Sequence, residues 1–268
     1  MAYKKLKLWF DKDLAELLSD KILLVYPDFD KKGFSKSIDS KVQNLELKDR
    51  VEVIADHFSR HLTKEYKENI KILTNILGPE NEEETGMFIN YYWVMPIAKY
   101  VEKYGLEDIA TSFKMIEEIT KRNTGEYAIR PYLEAHEKET LAVMTKWSKD
   151  TNKHIRRLSS EGGRPRLPWA KKIDKFVIDP RPLIPILKNL RNDKSKYVQK
   201  SVANCLNDIL KDNIKIGKQV IEDWTIGELS KQRKWIIKHS LRNLIKNDDE
   251  WANEIIDKLG LTNYIKHS

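Results

Sequence analysis

Apolar residues recur three or four positions apart along almost the whole chain, and this period constrains the fold more than any other feature. Leu14, Leu17, Leu18, Ile22 and Val25 mark one stripe between Trp9 and Val25, and Val51, Ile54, Ala55, Phe58 and Leu62 mark another between Asp49 and Leu62. At 3.6 residues per turn such residues share one face of a helix, whereas a half-buried strand needs strict alternation. Pro27 ends the first stripe, and Gly78-Pro79 closes a further one from Tyr66 to Leu77. Phe34 to Leu45 reads as a weaker helix. Phe88 to Tyr104 reads as the most apolar helix, with Pro96 placed to kink it and Gly105 to stop it. Leu106 to Arg122 reads as the next, ending near Asn123-Thr124-Gly125. No segment alternates, and no Asn-Gly or Asp-Gly turn separates β-branched runs. The chain is therefore read as all-α.

A second period lies on top of the first. His154-Ile155-Arg156-Arg157, Tyr197-Val198-Gln199-Lys200 and Trp235-Ile236-Ile237-Lys238 share the order ring, β-branched, any, basic. Each follows a lysine (Lys153, Lys196, Lys234), at offsets of 43 and 38 residues. Each opens a longer helix, and the second and third follow a shorter apolar one, Leu183–Leu190 and Ile214–Glu222. HEAT and armadillo helical pairs repeat every ~40–47 residues and stack into a curved superhelix, with the second helix of each pair lining the concave face. The predicted architecture is a single domain over residues 1–268, a curved α-α superhelix of HEAT-like repeats. Registering the repeats aligns Glu161, Asn204 and Arg242, with Asp208 one turn beyond Asn204. In the middle repeat Lys200, Asn204, Asp208 and Lys211 lie away from the core stripe of Val198, Val202, Cys205 and Ile209. These polar residues line one groove, or they form an ordinary solvated face; spacing alone allows both.

The formal charge of +8 and a pI near 9.2 point to a polyanion, nucleic acid or an anionic membrane surface, although Lys-rich helical proteins are also basic without such a partner. A single cysteine, Cys205, excludes an intramolecular disulfide framework and a cysteine zinc finger. His57 and His61 are four apart, but the intervening sequence lacks the glutamate of a HExxH helix, so no metal site is expected. The N-terminal MAYKKLKLWFDKD has no apolar run of signal-peptide length, and no stretch of ~18 apolar residues occurs. A reducing, cytoplasmic setting with no membrane partner is the expectation.

The stretch from Arg156 to Trp169 is the most unusual. Gly162-Gly163 should end a helix through a left-handed cap, which leaves Glu161 beside the negative end of the helix dipole, an unfavourable place for a carboxylate. The following Arg-Pro-Arg-Leu-Pro-Trp, stiffened by two prolines, reads as an extended arm presenting Arg164, Arg166 and Trp169. Three readings are open: an inter-repeat linker with Trp169 in the core, a proline-containing peptide ligand, or a nucleic-acid contact with arginines on phosphates and the indole on a base.

Arg157-Leu158-Ser159-Ser160-Glu161-Gly162-Gly163-Arg164-Pro165-Arg166-Leu167-Pro168-Trp169 resembles the signature of the AlkC group of HEAT-like-repeat alkylbase DNA glycosylases. Thr124 to Leu133 resembles that family's upstream acidic motif and Ser201 to Ile209 its downstream one, in the same order. With Trp235 to Leu244, the similarity spans about residues 85 to 250. Some members carry an additional C-terminal immunoglobulin-like domain; the sequence up to Ser268 shows no strand pattern and reads as the short form. The resemblance implies a monofunctional bacterial DNA-repair glycosylase. It implies a site of three carboxylates, Glu126, Glu161 and Asp208, with Trp169 as its indole and Arg157 as a basic neighbour. Arg157, Arg164, Arg166, Lys200 and Arg242 are the expected DNA contacts. The implied substrates are N3-methyladenine and N3-methylcytosine in double-stranded DNA, with no cofactor or metal and the chain acting as a nucleoid-associated monomer. Two readings compete with it: a non-catalytic HEAT-repeat scaffold, the default for this architecture, and a nucleic-acid-binding module without chemistry.

Overall fold

The computed structural model describes residues 4–85 and 90–261. Among these residues there are sixteen α-helices, three short 3-10 turns and no strand. They divide into two compact units, one running to Ala135 and the other from His136.

The first unit contains α1 (Lys12–Leu23), α2 (Lys31–Val42), α3 (Leu47–His61), α4 (Tyr66–Asn75), α5 (Met95–Tyr104), α6 (Ile109–Thr120) and α7 (Arg130–Ala135). Helices near in sequence pack together: α1 on α2, α2 on α3, α3 on α5, and both α4 and α5 on α6. The stripes read from the sequence supply most of the core, with Leu14, Leu18, Phe34, Ile38, Ile54 and Phe58 essentially inaccessible, whereas Leu17 and Val25 of the first stripe are exposed. Asp11 and Asp30 cap α1 and α2 by accepting the otherwise unpaired N–H groups of the first turns. His57 and His61 pack among Phe29, Phe34 and Phe58, so this pair is part of an aromatic core. The helix expected from Phe88 begins later. Residues 86–89 lie outside the described residues, Tyr92–Val94 form a 3-10 turn, and α5 starts at Met95. Pro96 stands in its first turn and bends nothing, because a proline there lacks only an N–H that would have no partner anyway.

The second unit contains α8 (Glu137–Trp147), α9 (Lys153–Glu161), α10 (Asp174–Ile178), α11 (Ile184–Leu190), α12 (Lys196–Asp212), α13 (Ile214–Trp224), α14 (Lys231–Ser240), α15 (Arg242–Lys246) and α16 (Glu250–Lys258). The three helices that carry the repeated quartet are α9, α12 and α14, and α12 packs against both of the others. Each starts on a polar cap: Asn152, Ser195 and Ser230 accept the N–H of His154, Val198 and Arg233. The third quartet sits one turn inside its helix, because α14 begins at Lys231. The quartets meet across the repeats. The His154 and Tyr197 rings pack edge to face at 5.7 Å, the Arg157 guanidinium covers Tyr197 at 4.8 Å, and Lys196 Nζ lies 3.2 Å from the Trp235 ring centre. The rings that open the second and third quartets, Tyr197 and Trp235, therefore each receive a cation from the preceding repeat.

Candidate nucleic-acid interface and carboxylate site

The segment that follows α9 is not an extended arm. Residues 162–170 fold back along α12 through two ion pairs. Arg164 Nε lies 2.9 Å from Asp208 Oδ2, and Arg166 Nη2 lies 2.6 Å from Asp212 Oδ1, with Nε at 2.7 Å from Oδ2. The geometry follows from chain dimensions. Residues two apart in an open segment are ~6–7 Å apart, close to the ~5.4 Å pitch that separates Asp208 from Asp212 on one helix face. The loop is closed by backbone bonds from Ile173 to Pro165 and from Ala170 to Leu167, and anchored by the buried side chains of Leu167 and Ile173. Gly162 ends α9 with φ −62, so no left-handed cap forms. The second glycine answers to packing instead: a Cβ on Gly163 would lie 2.9 Å from Leu183 Cδ2 and 3.3 Å from Met144 Cε.

Glu161 is the last residue of α9, and Asp208 lies on the adjoining α12; both are buried. Arg164 joins them, with Nη1 2.8 Å from Glu161 Oε1 in addition to its bonds to Asp208. Arg157 Nη2 approaches the same Glu161 oxygen at 3.5 Å. Burial pushes the Glu161 carboxyl up, but the charges of Arg157 and Arg164 outweigh it and hold the group below the usual carboxylate range. This also explains how a carboxylate survives at a helix C-terminus: the two guanidiniums oppose the dipole. At Asp208 burial wins over the bonds and charge of Arg164, and the group is raised. Arg164 itself is held as a cation, its burial offset by Asp208 and Glu161. Only 7% exposed, it is far from the solvent-facing phosphate contact that the sequence suggested. Arg166 has its charge directed at Asp212 in the same way, although it is less buried.

Trp169 is different. Its ring is 74% exposed and its φ is +62, the left-handed region that a bulky residue enters at a cost of ~1–2 kcal/mol. A core linker would bury the indole and relax the backbone, so this residue does not behave as one. Glu126, the third expected carboxylate, belongs to the first unit. It lies in the turn before α7, is buried, and accepts the Thr124 hydroxyl at 2.9 Å. A Cβ on the preceding Gly125 would meet Thr120 Oγ1 at 2.6 Å.

Of the remaining expected DNA contacts, Lys200 is exposed on α12, and Arg242 opens α15 with Nη1 donating to the His239 carbonyl at 2.8 Å. Sequence reasoning missed Asp212 and the group formed by Lys196, Trp235 and His239. The signal for the latter was present: Lys196 and Trp235 are parts of the repeated quartet, and His239 stands one helical turn after Trp235. Among the described residues no cluster of His, Cys, Asp or Glu is arranged to hold a metal ion, and no helix is long and apolar enough to cross a membrane.

Comparison with known proteins gives this site its context. Residues 50–244 match the family described as DNA alkylation repair enzyme. The uncharacterized protein YhaZ of Bacillus subtilis (strain 168) is 36% identical over 248 residues, covering 92% of this chain. The chain spans 66% of the length of that relative. The solved structure of Pseudomonas fluorescens alkylpurine DNA glycosylase AlkC, bound to DNA containing an abasic site analog, is similar at a TM-score of 0.85 and 33% identity, covering 95% of this chain and 69% of that one. The helical fold, the carboxylate-bearing repeats and the family match agree: the chain belongs to the DNA alkylation repair enzyme family.

Proposed function

We propose that the chain is a DNA glycosylase that hydrolyses the N-glycosidic bond of cationic alkylated bases, N3-methyladenine and N3-methylcytosine, in duplex DNA and leaves an abasic site. The observation that carries this reading is the buried trio of Glu161, Arg164 and Asp208 on two adjoining repeats, with the strained and exposed Trp169 on the connecting loop. An N3-alkylated base carries its positive charge while still attached to the sugar. When the bond from the sugar C1′ to the base nitrogen breaks, the electron pair leaves with the base, which becomes neutral. The positive charge passes to the sugar in an oxocarbenium-like state. Fixed carboxylates stabilise that charge. The oxygen of a water molecule then bonds to C1′, and its proton passes to a carboxylate or to solvent. Neither a metal nor an organic cofactor is required for any of these steps.

In this reading Glu126, Glu161 and Asp208 are the acids, Trp169 offers its π-face to the charged nucleotide, and Arg157 steadies the charge of Glu161. Arg166, Lys200 and Arg242 attract the backbone, while Arg164 acts chiefly on the two carboxylates. The protein works as a monomer in the bacterial cytoplasm. The test is release of free base from defined duplexes carrying N3-methyladenine or N3-methylcytosine. Release from either supports the proposal. Tight binding of undamaged duplex without release from either would overturn it in favour of a binding module.

A further inference from the structure

The arginines closest to the carboxylates have their charge directed at acids: Arg157 at Glu161, Arg164 at Glu161 and Asp208, Arg166 at Asp212. Across α12, on the side of α14, the situation reverses. Among the described residues, Lys196, Lys200 and Arg242 form no ion pair with a carboxylate. Beside them is an aromatic stack in which the Trp235 and His239 rings lie 4.7 Å apart at an interplanar angle of 13°, and the charges of all three cations act on His239. Lys196 Nζ closes that stack from above, 3.2 Å from the Trp235 ring centre, and its other polar contact is Gln199 Oε1 at 3.3 Å. Arg242 is tied through Nη1 to the His239 carbonyl, which leaves the rest of its fork unused by that bond.

We infer that Lys196, Lys200, His239 and Arg242, grouped about the Trp235–His239 stack, form a phosphodiester-binding subsite that grips the DNA backbone next to the carboxylate site. The inference rests on the reading of the chain as a DNA-acting enzyme and adds to it a specific place and composition. Concentrated positive charge that forms no ion pair with a carboxylate is what a strand of phosphates would neutralise. The flat ring stack supplies an apolar floor that a sugar can rest on. Lys196, lying over Trp235 in the absence of DNA, has a flexible stem and needs only to swing its ammonium to reach an incoming phosphate.

The state of His239 agrees with this arrangement. Burial lowers its pKa first, and Arg242, Lys200 and Lys196 lower it further, to about 4. These are the charged groups that face it, the two lysines from α12 and the arginine from α15. Lys196 and Arg242 are themselves lowered by burial, and Arg242 also by Arg164, against the opposing charge of Asp208. A phosphate among these cations would cancel the repulsion, and His239 would then accept a proton as DNA binds.

The full-length chain provides the test, with an undamaged duplex and inorganic phosphate as separate probes. Duplex binding is measured against salt concentration for wild type, Lys196→Gln, Lys200→Gln and His239→Gln, and the His239 imidazole is titrated by NMR with and without each probe. In the two lysine variants the slope of log K on log salt should shrink by about 0.9 each. Duplex should raise the His239 pKa, and wild-type binding should tighten by up to about tenfold per pH unit as pH falls below that raised value towards the free value of about 4, a dependence lost in His239→Gln. Unchanged slopes together with an unmoved His239 titration, in variants that melt normally, would overturn the subsite while leaving DNA binding intact. A response to inorganic phosphate but not to duplex would overturn it as a DNA contact. Failure of the wild type to bind duplex at all would remove the functional reading as well.

Discussion

Glu161 and Asp208 face unequal counter-charges, and replacing each by its amide is therefore an unequal change. Glu161 is approached by two guanidiniums, at 2.8 and 3.5 Å, whereas among the described residues Asp208 has Arg164 alone as an ion-pair partner. Either amide removes a fixed negative charge, and excision should fall by roughly 10²–10³-fold if that charge supplies ~3–4 kcal/mol. Stability should separate the two. Glu161→Gln leaves two cations around an uncharged group, and breaking a buried ion pair of this kind costs ~3–5 kcal/mol. Asp208→Asn removes a charge that burial already disfavours, and Arg164 keeps Glu161. Thermal melts in which Glu161→Gln is no less stable than Asp208→Asn would refute the asymmetry. The pH dependence has a definite sign as well. In the proposed reaction Asp208 acts as an anion, and its pKa is raised from 3.8, so kcat/KM should fall with decreasing pH at a higher pH than an ordinary aspartate would give. Arg164→Lys, which gives up the two-point contact, should move that limb higher still, as a pH-rate profile would record. Trp169 offers a third measurement. Trp169→Gly relieves a left-handed strain of ~1–2 kcal/mol and costs ~0.5–1 kcal/mol in chain entropy, so the melting temperature should stay within a few degrees of wild type while excision drops. A large loss of stability would return the indole to a packing role.

At the level of helices, α12 is in contact on several sides, and its approach to α13 is the closest to a hard limit. A Cβ on Gly217 would lie 2.6 Å from Leu210 Cδ2 and 3.1 Å from the Leu210 Cα, and the backbone atom cannot turn aside. Gly217→Ala gains ~1 kcal/mol in helix propensity but overpacks the contact at a cost of ~1–3 kcal/mol. The melting temperature should therefore fall, and a rise would show that the two helices have room to part. The helices themselves were legible because apolar period is a local property: the stripe of α3 and the quartets of α9 and α12 declare themselves within one or two turns of sequence. The connecting loop was not. Its conformation is set by Asp208 and Asp212, which lie 44 and 46 residues from the arginines they hold, and nothing near Arg164 announces them. Prolines flanking Arg166 made an extended arm the natural reading, and only the distant acids reveal that the segment is pinned. The two glycines were misread for a related reason: a left-handed cap and a tight side-chain contact both call for glycine, and sequence does not separate them. Likewise, the carboxylate positions became candidates through motif resemblance, since spacing alone favoured a solvated face.

For the molecule as a whole, the proposal makes lesion charge the quantity that is read. Duplexes containing N3-methylcytosine should lose the base readily, and those containing hypoxanthine or uracil poorly, because fixed carboxylates stabilise a cation and need not protonate a departing neutral base. The abasic product should remain an intact strand until alkali is added, since no lysine is assigned to attack the sugar. Equal excision of hypoxanthine, or cleavage without alkali, on a denaturing gel would contradict this. The embedded Arg164 bears on the same molecule before any chemistry begins. Glu161, Asp208, Arg157 and Arg164 together carry no net formal charge, and the field of such an alternating set dies away with distance faster than that of a lone carboxylate. Salt shortens the range further, to ~8–10 Å under ordinary conditions. A polyanion drifting in from solution is thus not repelled by acids that it will need at contact. In the proposed enzyme this neutral set as a whole should add little to the rate at which DNA is captured, and attraction of the polymer and recognition of its damage can be tuned independently.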